Sequence, residues 1–300
     1  MGYKRAGFKV IGNVEIDPKI NNIYIRNNKP EYNYRMDLRE FNKLEELPDA
    51  LGKIDILDGS PPCTSFSTAG VRDRDWGKEK KFREGQVRQT LDDLFFVFLD
   101  TVEKLEPKIV VAENVTGMNV GKAKGHINLI AKRFKELGYA LQIFELNSAY
   151  MDVPQARHRL FFIANRCGYP KLRLDFHYDL IPFSEVRDPR PGKKGTGQIA
   201  TLLEKAKNTD KKMQDVLIRT TGEKKYYGQI ILSDERVAQC ITSGGMFFRL
   251  CDRTKLRDED FRNVQTFPQD YDFMGENVQY VCGMSVPPNM MANVATEIWE

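Results

Sequence analysis

The stretch KIVVA, Lys108–Ala112, is an apolar run typical of a strand buried on both faces, and polar residues follow it directly. Similar strand-like runs alternate with segments of helical spacing through the first half of the chain. The strand-like runs are Lys9–Ile16, Ile54–Leu57, Lys108–Ala112, Leu141–Leu146 and Leu160–Ala164, and the helical segments are Thr90–Leu105 and Ile127–Leu137. This alternation predicts an α/β fold with a mainly parallel sheet, helices on both faces, and ligand sites beyond the carboxyl ends of the strands.

The character of the chain changes after Asn165, where periodicity becomes weak and glycine, proline and lysine are frequent. The closing segment, Pro287–Trp299, again has helical spacing. We therefore predict a larger domain formed by residues 1–165 together with 276–300, and a smaller, loop-rich domain formed by residues 166–275.

Composition narrows the class of protein. Hydrophobic residues make up 41% and charged residues 29% of the 300 residues, which is typical of a globular protein with a sizeable core. The net charge of +4 permits a polyanionic partner without demonstrating one. No apolar run approaches the length of a membrane span, no signal peptide is recognisable, and the five scattered cysteines have no metal-ligand spacing. The sequence therefore predicts a cytoplasmic protein without a metal site or a disulfide framework.

Three short motifs carry potential chemistry. In Gly59-Ser60-Pro61-Pro62-Cys63 two prolines stiffen a turn and would present a thiol in a fixed direction, as a nucleophile requires. Glu113 follows a buried strand, where burial can adapt a carboxyl group to acid–base work. Arg157 and Arg159 alternate and would share one face of an extended segment. Each motif alone has a plainer interpretation, respectively a buried cysteine in a rigid loop, a helix cap and a charged strand entrance.

The order of the motifs is more specific than any one of them. Pro-Pro-Cys, Glu-Asn-Val, Gln-x-Arg-x-Arg, Arg262 with Thr266-Phe267-Pro268, and Gly283-Met284-Ser285-Val286-Pro287-Pro288 succeed one another along the chain. In this order they resemble the cytosine-C5 DNA methyltransferase family of bacterial and phage modification enzymes. The resemblance covers nearly the whole chain except about residues 169–229. It implies a Rossmann-like S-adenosylmethionine-dependent catalytic domain and a smaller target-recognition domain, which correspond to the two predicted domains.

The resemblance implies a role for each catalytic residue. Cys63 matches the nucleophile that adds to C6 of a flipped cytosine. Glu113 matches the residue that contacts N3 and the exocyclic amine. Arg157 and Arg159 match the arginines that contact the base and support the catalytic loop, and the stretch 67–86 matches that loop.

The resemblance also implies a site for S-adenosylmethionine. Glu15 matches the carboxylate that binds the ribose hydroxyls, Ile16 would lie against the adenine, and Asp37, followed by Leu38, matches the contact to the adenine amino group. Pro61 and Ser285 match further residues of the cofactor pocket.

Two departures from the family pattern bear on cofactor binding. The family pattern begins with a strand and a Phe-x-Gly-x-Gly loop, whereas this sequence begins with Gly2-Tyr3-Lys4-Arg5-Ala6-Gly7-Phe8, which resembles the helix after that loop. Either the printed sequence begins downstream of the true start or the segment has been lost, and a real loss would remove the central strand and weaken cofactor binding. Met284 replaces the family's usual asparagine and cannot donate its hydrogen bonds, so we expect weaker cofactor binding.

The expected partner is double-stranded DNA, bound by a monomer, with a cognate restriction endonuclease as a second partner if the enzyme protects a host. Base reading is expected from residues 166–246, and the candidates are Lys193, Lys194, Arg219, Thr220, Thr221, Lys224, Lys225, Tyr226 and Tyr227. The turn Ser243-Gly244-Gly245 resembles a family element near the DNA backbone. Two alternatives stay open, a transfer-RNA cytosine-C5 methyltransferase and a catalytically inactive DNA-binding homologue. The recognised sequence and the biological setting, whether restriction, orphan or phage, are not encoded in these motifs.

Overall fold

The computed structural model describes residues 1–61, 94–119 and 124–300. Its packing divides the chain into two compact units. The sheet unit contains residues 10–146 and 158–174, and the C-terminal unit contains residues 1–9, 147–157 and 175–300. These packing units differ from the predicted functional domains, in which residues 276–300 belong with the first part of the chain. The functional domains stay a prediction.

Helices and strands alternate through the sheet unit. Its helices are α2 (Pro18–Asn28), α3 (Leu38–Lys43), α4 (Leu94–Leu105) and α5 (Lys124–Glu136), after the short α1 (Gly2–Arg5) of the other unit. Its strands are β1 (Gly12–Val14), β2 (Tyr32–Tyr34), β3 (Ile56–Gly59), β4 (Ile109–Val115), β5 (Ala140–Asn147) and β7 (His158–Asn165), with the two-residue β6 (Gln155–Ala156) of the other unit between the last two.

The strands of the sheet unit form a four-stranded sheet in the order β3-β4-β7-β5 and a separate pair, β1-β2. β1 with β2 and β3 with β4 are parallel, whereas β4 and β7 are antiparallel over seven residue pairs. The prediction of an α/β fold is confirmed, and the sheet is mixed because β7 returns beside β4 in the opposite direction. Gly59, the last residue of β3, permits this packing, since a Cβ there would lie 2.3 Å from the Phe98 ring of α4.

The core of the sheet unit is apolar. Helices α4 and α5 contribute Phe95, Phe98, Leu99, Val102, Ile130 and Phe134, and the strands contribute Val110, Ala112, Leu160, Phe162 and Ala164. Burial of an apolar side chain of this size contributes about 1.5–3 kcal/mol. The helical spacing of α4 and the apolar runs of β4 and β7 thus account for the packing of the sheet.

The C-terminal unit has shorter elements. They are α6 (Gly197–Lys205), α7 (Met213–Thr221), α8 (Asp258–Val264), α9 (Val278–Met284), α10 (Pro288–Trp299) and the strands β8 (Ile230–Leu232), β9 (Ala238–Gln239) and β10 (Phe247–Arg249). α1 packs against α10, and a Cβ at Gly2 would lie 2.5 Å from the Cβ of Met291. Throughout the described residues, no helix combines the length and the apolar character needed to cross a membrane.

Candidate active site

Polar residues lie at the carboxyl ends of the neighbouring strands β3 and β4. Because the two strands are parallel and Gly59 pairs with Ala112, the residues that follow each of them emerge at the same edge of the sheet. β4 continues through Val115, so Glu113 and Asn114 belong to the strand itself. The Asn114 Nδ2 atom donates to the carbonyl of Pro61 at 3.0 Å, which fixes the end of the β3 loop. Cys63 lies outside the described residues, as do residues 67–86.

Glu113 and Arg159 form an ion pair at this edge. The register places Glu113 opposite Phe161 and Val115 opposite Arg159, so Glu113 and Arg159 are diagonal neighbours on one face of the β4–β7 pair. Arg159 Nε lies 2.7 Å from Glu113 Oε1, and the side chains are 14% and 12% exposed. The pair is largely shielded from solvent, so the positions of the two side chains are well defined. A guanidinium and a carboxylate can together bind the polar edge of a flat ligand.

Arg157 has different partners. Its side chain is buried in the C-terminal unit, where Nη1 donates to the carbonyl of Ile241 at 2.9 Å and Nη2 donates to the carbonyl of Gly283 at 3.0 Å. The two arginines of the motif therefore have different partners within the described residues. Arg157 binds main-chain carbonyls and Arg159 binds a carboxylate.

The predicted cofactor residues of the sheet unit follow β1 and β2. The Glu15 N–H donates to the carbonyl of Tyr34 at 3.0 Å, which continues the β1–β2 pairing, and Asp37 follows three residues after β2. Because the strands are parallel, both carboxyl groups belong to the same edge. Glu15 Oε1 accepts the Asp17 N–H at 2.8 Å, and burial raises the pKa of the Glu15 carboxyl group.

Asp37 and Leu38 have evident structural roles as well. Asp37 is the N-cap of α3, and its Oδ1 accepts the Arg39 N–H at 2.8 Å. Leu38 packs against two apolar clusters, the core that contains Phe98 and Val102 and the cluster that contains Phe41 and Leu51. Ile16 is half-buried between β1 and α2. These contacts fix the backbone around the predicted adenine pocket.

Ser285 lies in the C-terminal unit at the end of α9. Its Oγ donates to the carbonyl of Val281 at 2.6 Å, and its own carbonyl accepts from Gln265 Nε2 at 2.8 Å. The neighbouring Met284 side chain is 59% exposed. Nearby Cys282 is fully buried, and burial raises the pKa of its thiol to about 12, so this cysteine stays protonated and is a poor nucleophile.

Several polar residues that the sequence analysis did not assign have well-defined positions. Asn114 holds the Pro61 carbonyl, and Gln155 and Gln265 form a buried amide pair at 2.6 Å in the C-terminal unit. Gln155 is the first residue of the Gln-x-Arg-x-Arg motif, so the motif could have identified it from the sequence. Arg219, one of the candidate base readers, pairs with Asp210 at 2.7 Å.

Comparison with known proteins agrees with the motifs. Residues 1–242 match the C-5 cytosine-specific DNA methylase family. The type II methyltransferase M1.HphI of Haemophilus parahaemolyticus is 26% identical over 99% of this chain and 82% of its own length. M.NgoMIV of Neisseria gonorrhoeae is 27% identical over 99% of this chain and 92% of its own length.

A solved structure shares the fold. A proposed DNA modification methyltransferase encoded within an E. coli prophage superposes with a TM-score of 0.69 at 17% identity, covering 99% of this chain and 94% of that one. The fold is thus the mixed α/β, Rossmann-like fold of the C5 methyltransferases. Since the family match extends over residues 1–242, the chain belongs to the C-5 cytosine-specific DNA methylase family.

Proposed function

We propose that the protein transfers a methyl group from S-adenosylmethionine to C5 of a flipped cytosine in a specific duplex DNA sequence, with Cys63 as nucleophile. The observation that carries this proposal is the Glu113–Arg159 pair at the carboxyl edge of the sheet. The two side chains lie at the carboxyl end of β4, and in this proposal a nucleotide base lies beyond that end.

In this proposal Cys63 and Glu113 act on the same base, and a contact of the described residues links the segments next to them. Asn114, the neighbour of Glu113, holds the carbonyl of Pro61 at 3.0 Å. Cys63 follows Pro61 by two residues, and two residues of chain span about 7 Å at most.

The proposed chemistry uses the residues as follows. The Cys63 thiolate adds to C6 of cytosine, and the displaced ring electrons make C5 nucleophilic. Glu113 stabilises this electron shift by hydrogen bonding to N3 and the exocyclic amine, and Arg159 holds the Glu113 carboxyl group in position. After methylation a base removes the C5 proton, the C6–S bond breaks, and the thiolate is restored. A free thiol has a pKa of about 8.5, so the site must favour its ionised form.

The residues at the edge of β1 and β2 fit S-adenosylmethionine, which supplies an electrophilic methyl group when it is bound. Glu15 offers a half-buried carboxyl group for two ribose hydroxyls, in addition to its bond from the Asp17 N–H. Asp37 would accept from the adenine amino group, Ile16, Leu38 and Pro61 would line an apolar slot, and Ser285 would contribute a hydroxyl group.

Double-stranded DNA is the proposed substrate. A target base inside a duplex must leave the stack, at about a few kcal/mol, before Cys63 can reach it. The exposed residues Lys224, Lys225 and Tyr226 of the C-terminal unit suit contact with a polyanion, and Tyr226 is 81% exposed. A cytoplasmic monomer, acting with or without a cognate restriction endonuclease, is the expected setting.

The decisive experiment measures transfer of a labelled methyl group to mixed-sequence duplex DNA and, in parallel, to transfer RNA. We expect label in 5-methylcytosine with the unaltered protein and no label above background with Cys63→Ala. Cys167→Ala, which removes an exposed thiol of the sheet unit, is the matched control and should retain activity.

Other results would change the conclusion in defined ways. Label in transfer RNA alone would identify an RNA methyltransferase. Label in neither substrate, with DNA binding retained, would identify an inactive DNA-binding homologue. Equal activity of Cys63→Ala and the unaltered protein would remove Cys63 from the mechanism.

A further inference from the structure

Asn114 is a buried amide near the end of β4, at a position where the pairing of β4 with β3 has already ended. The final pair of the β3–β4 ladder is Gly59 with Ala112, and β4 continues beyond it through Val115. On the other side of β4, Asn114 is still paired with Leu160 of β7. Asn114 is 4% exposed. The main chain of β4 is thus held by β7 at this position, and that pairing does not use the Asn114 side chain.

The Asn114 side chain binds the chain that leaves β3. Its Nδ2 donates to the carbonyl of Pro61 at 3.0 Å, and its Oδ1 accepts the N–H of Val115 at 2.8 Å. Both ends of the amide therefore have a partner, and a buried amide paired in this way favours one geometry, because a shift would leave a buried polar group without a partner. Continued strand pairing could not replace this contact, because Pro61 and Pro62 have no N–H groups to donate to the ladder.

The backbone of Pro61 is restrained in three ways. Its own ring fixes φ, and the proline that follows it in the sequence disfavours the helical conformation and so limits ψ. The hydrogen bond from Asn114 then fixes the direction of the Pro61 carbonyl. A segment that is restrained before a ligand arrives loses less entropy when the ligand binds. The contact from Asn114 therefore suits a residue that forms part of a binding pocket.

We propose that Asn114 is a positioning residue for S-adenosylmethionine: by holding the carbonyl of Pro61, it keeps this proline in the wall of the cofactor pocket. This inference rests on the proposed function, in which Pro61 lines that pocket and Glu113 contacts the base. Asn114 directly follows Glu113 in β4. One segment of β4 thus carries the carboxyl group that contacts the base and also holds a residue of the cofactor pocket.

The test removes the hydrogen-bond donor and keeps the branched shape of the side chain. In Asn114→Leu the carbonyl of Pro61 loses its partner. We expect the KM for S-adenosylmethionine to rise about tenfold, while kcat and the KM for duplex DNA stay within about threefold, because Glu113 and Arg159 are unaltered. Calorimetry without DNA should show the dissociation constant for S-adenosylmethionine rising by the same factor. Hydrogen exchange of the backbone amides of residues 57–60 should accelerate in the same variant.

Two further variants make the test specific. Asn165→Leu makes the same substitution in β7 beside the opposite end of β4, where Asn165 pairs with Ile109, and it is the matched control with an unchanged KM. Asn114→Ser introduces a small hydroxyl side chain that is too short to reach the Pro61 carbonyl. It should raise the KM for S-adenosylmethionine in the same direction as Asn114→Leu, and it decides the question if Asn114→Leu does not fold.

The outcomes separate this proposal from the proposed function. If the unaltered protein methylates DNA and both Asn114 variants keep its KM for S-adenosylmethionine, the positioning role is wrong. A loss of kcat and melting temperature without a change in that KM would also overturn it, because that is the signature of a core residue. If the unaltered protein methylates nothing, the proposed function fails, and calorimetry decides the positioning role. Weaker binding of S-adenosylmethionine by the Asn114 variants would then support it, and equal binding, or no binding by the unaltered protein, would overturn it.

Discussion

The two units of the molecule differ in how many charged residues they bury. In the described part of the sheet unit, the one buried charged residue is Asp17, which caps α2. The C-terminal unit buries five charged side chains, and these are Arg157, Asp188, Asp210, Arg249 and Asp260. The C-terminal unit has an apolar core as well, with Leu203, Val216 and Phe248 among its residues. It depends on ion pairs and hydrogen bonds whose geometry must be correct, because a buried charge without a partner is strongly unfavourable.

Arg249 is the centre of the C-terminal network. Its guanidinium donates to the carbonyls of Asp188 and Arg190, both at 2.7 Å, and pairs with Asp252 and Asp260. The side chain is fully buried. Arg249 of β10 thus joins the segment 188–190 to Asp252 and to Asp260 of α8.

The largest expected effect comes from breaking this network. Arg249→Met should lower the free energy of unfolding of the C-terminal unit by about 4 kcal/mol, because the buried Asp260 carboxylate loses its cation. Urea unfolding followed by hydrogen exchange of each unit measures it. Arg253→Met, which removes an arginine that is exposed and paired with Glu204, is the control and should change stability by less than about 1 kcal/mol. Equal effects of the two substitutions would show that the network is not stabilising.

The corresponding change in the sheet unit is the loss of apolar volume. Leu99 is fully buried between the helices and the sheet, and Leu99→Ala should cost about 3 kcal/mol through lost burial and a residual cavity. Leu129→Ala, on an exposed face of α5, serves as control. Hydrogen exchange should accelerate in β4 and β7. A loss confined to the C-terminal unit would contradict the assignment of this core.

This contrast explains what the sequence could reveal. Apolar periodicity predicted α4, α5, β4 and β7 because burial acts on neighbouring residues along one element. Glu113 and Arg159 were identified because both residues stand in recognisable motifs, although their ion pair was not predicted. The contacts of Arg249 join residues about 60 positions apart, and no local sequence pattern predicts them. The helix α2 was missed, although Asp17-Pro18 is a good start signal, because its helical face contains asparagines.

Acid should weaken the C-terminal unit first. Arg190 and Arg257 beside Asp188 hold the pKa of its carboxyl group well below the usual value. A lowered pKa in the folded state gives stability that is complete above the unfolded pKa and is lost as the pH falls. Asp188→Asn should therefore reduce stability by about 2 kcal/mol at pH 7 and by much less near pH 2. Asp270→Asn, at an exposed carboxyl group, should show no such pH dependence, and identical pH profiles would contradict the assignment.

The smallest effect is expected at Glu15, and it has the opposite sign. Burial raises the pKa of this carboxyl group, so ionising it opposes folding, and its unfavourable effect grows as the pH rises through the folded-state value. Glu15→Gln should raise the free energy of unfolding by up to about 1 kcal/mol at pH 8, with no gain at pH 3, where the carboxyl group is protonated in both states. Glu46→Gln makes the same change at an exposed position. If Glu15 also binds the ribose hydroxyls as proposed, the stabilised variant should bind S-adenosylmethionine more weakly by calorimetry. A variant that is destabilised at pH 8 would instead mean that the Asp17 N–H outweighs burial, and that the carboxylate is held for the fold rather than for a ligand.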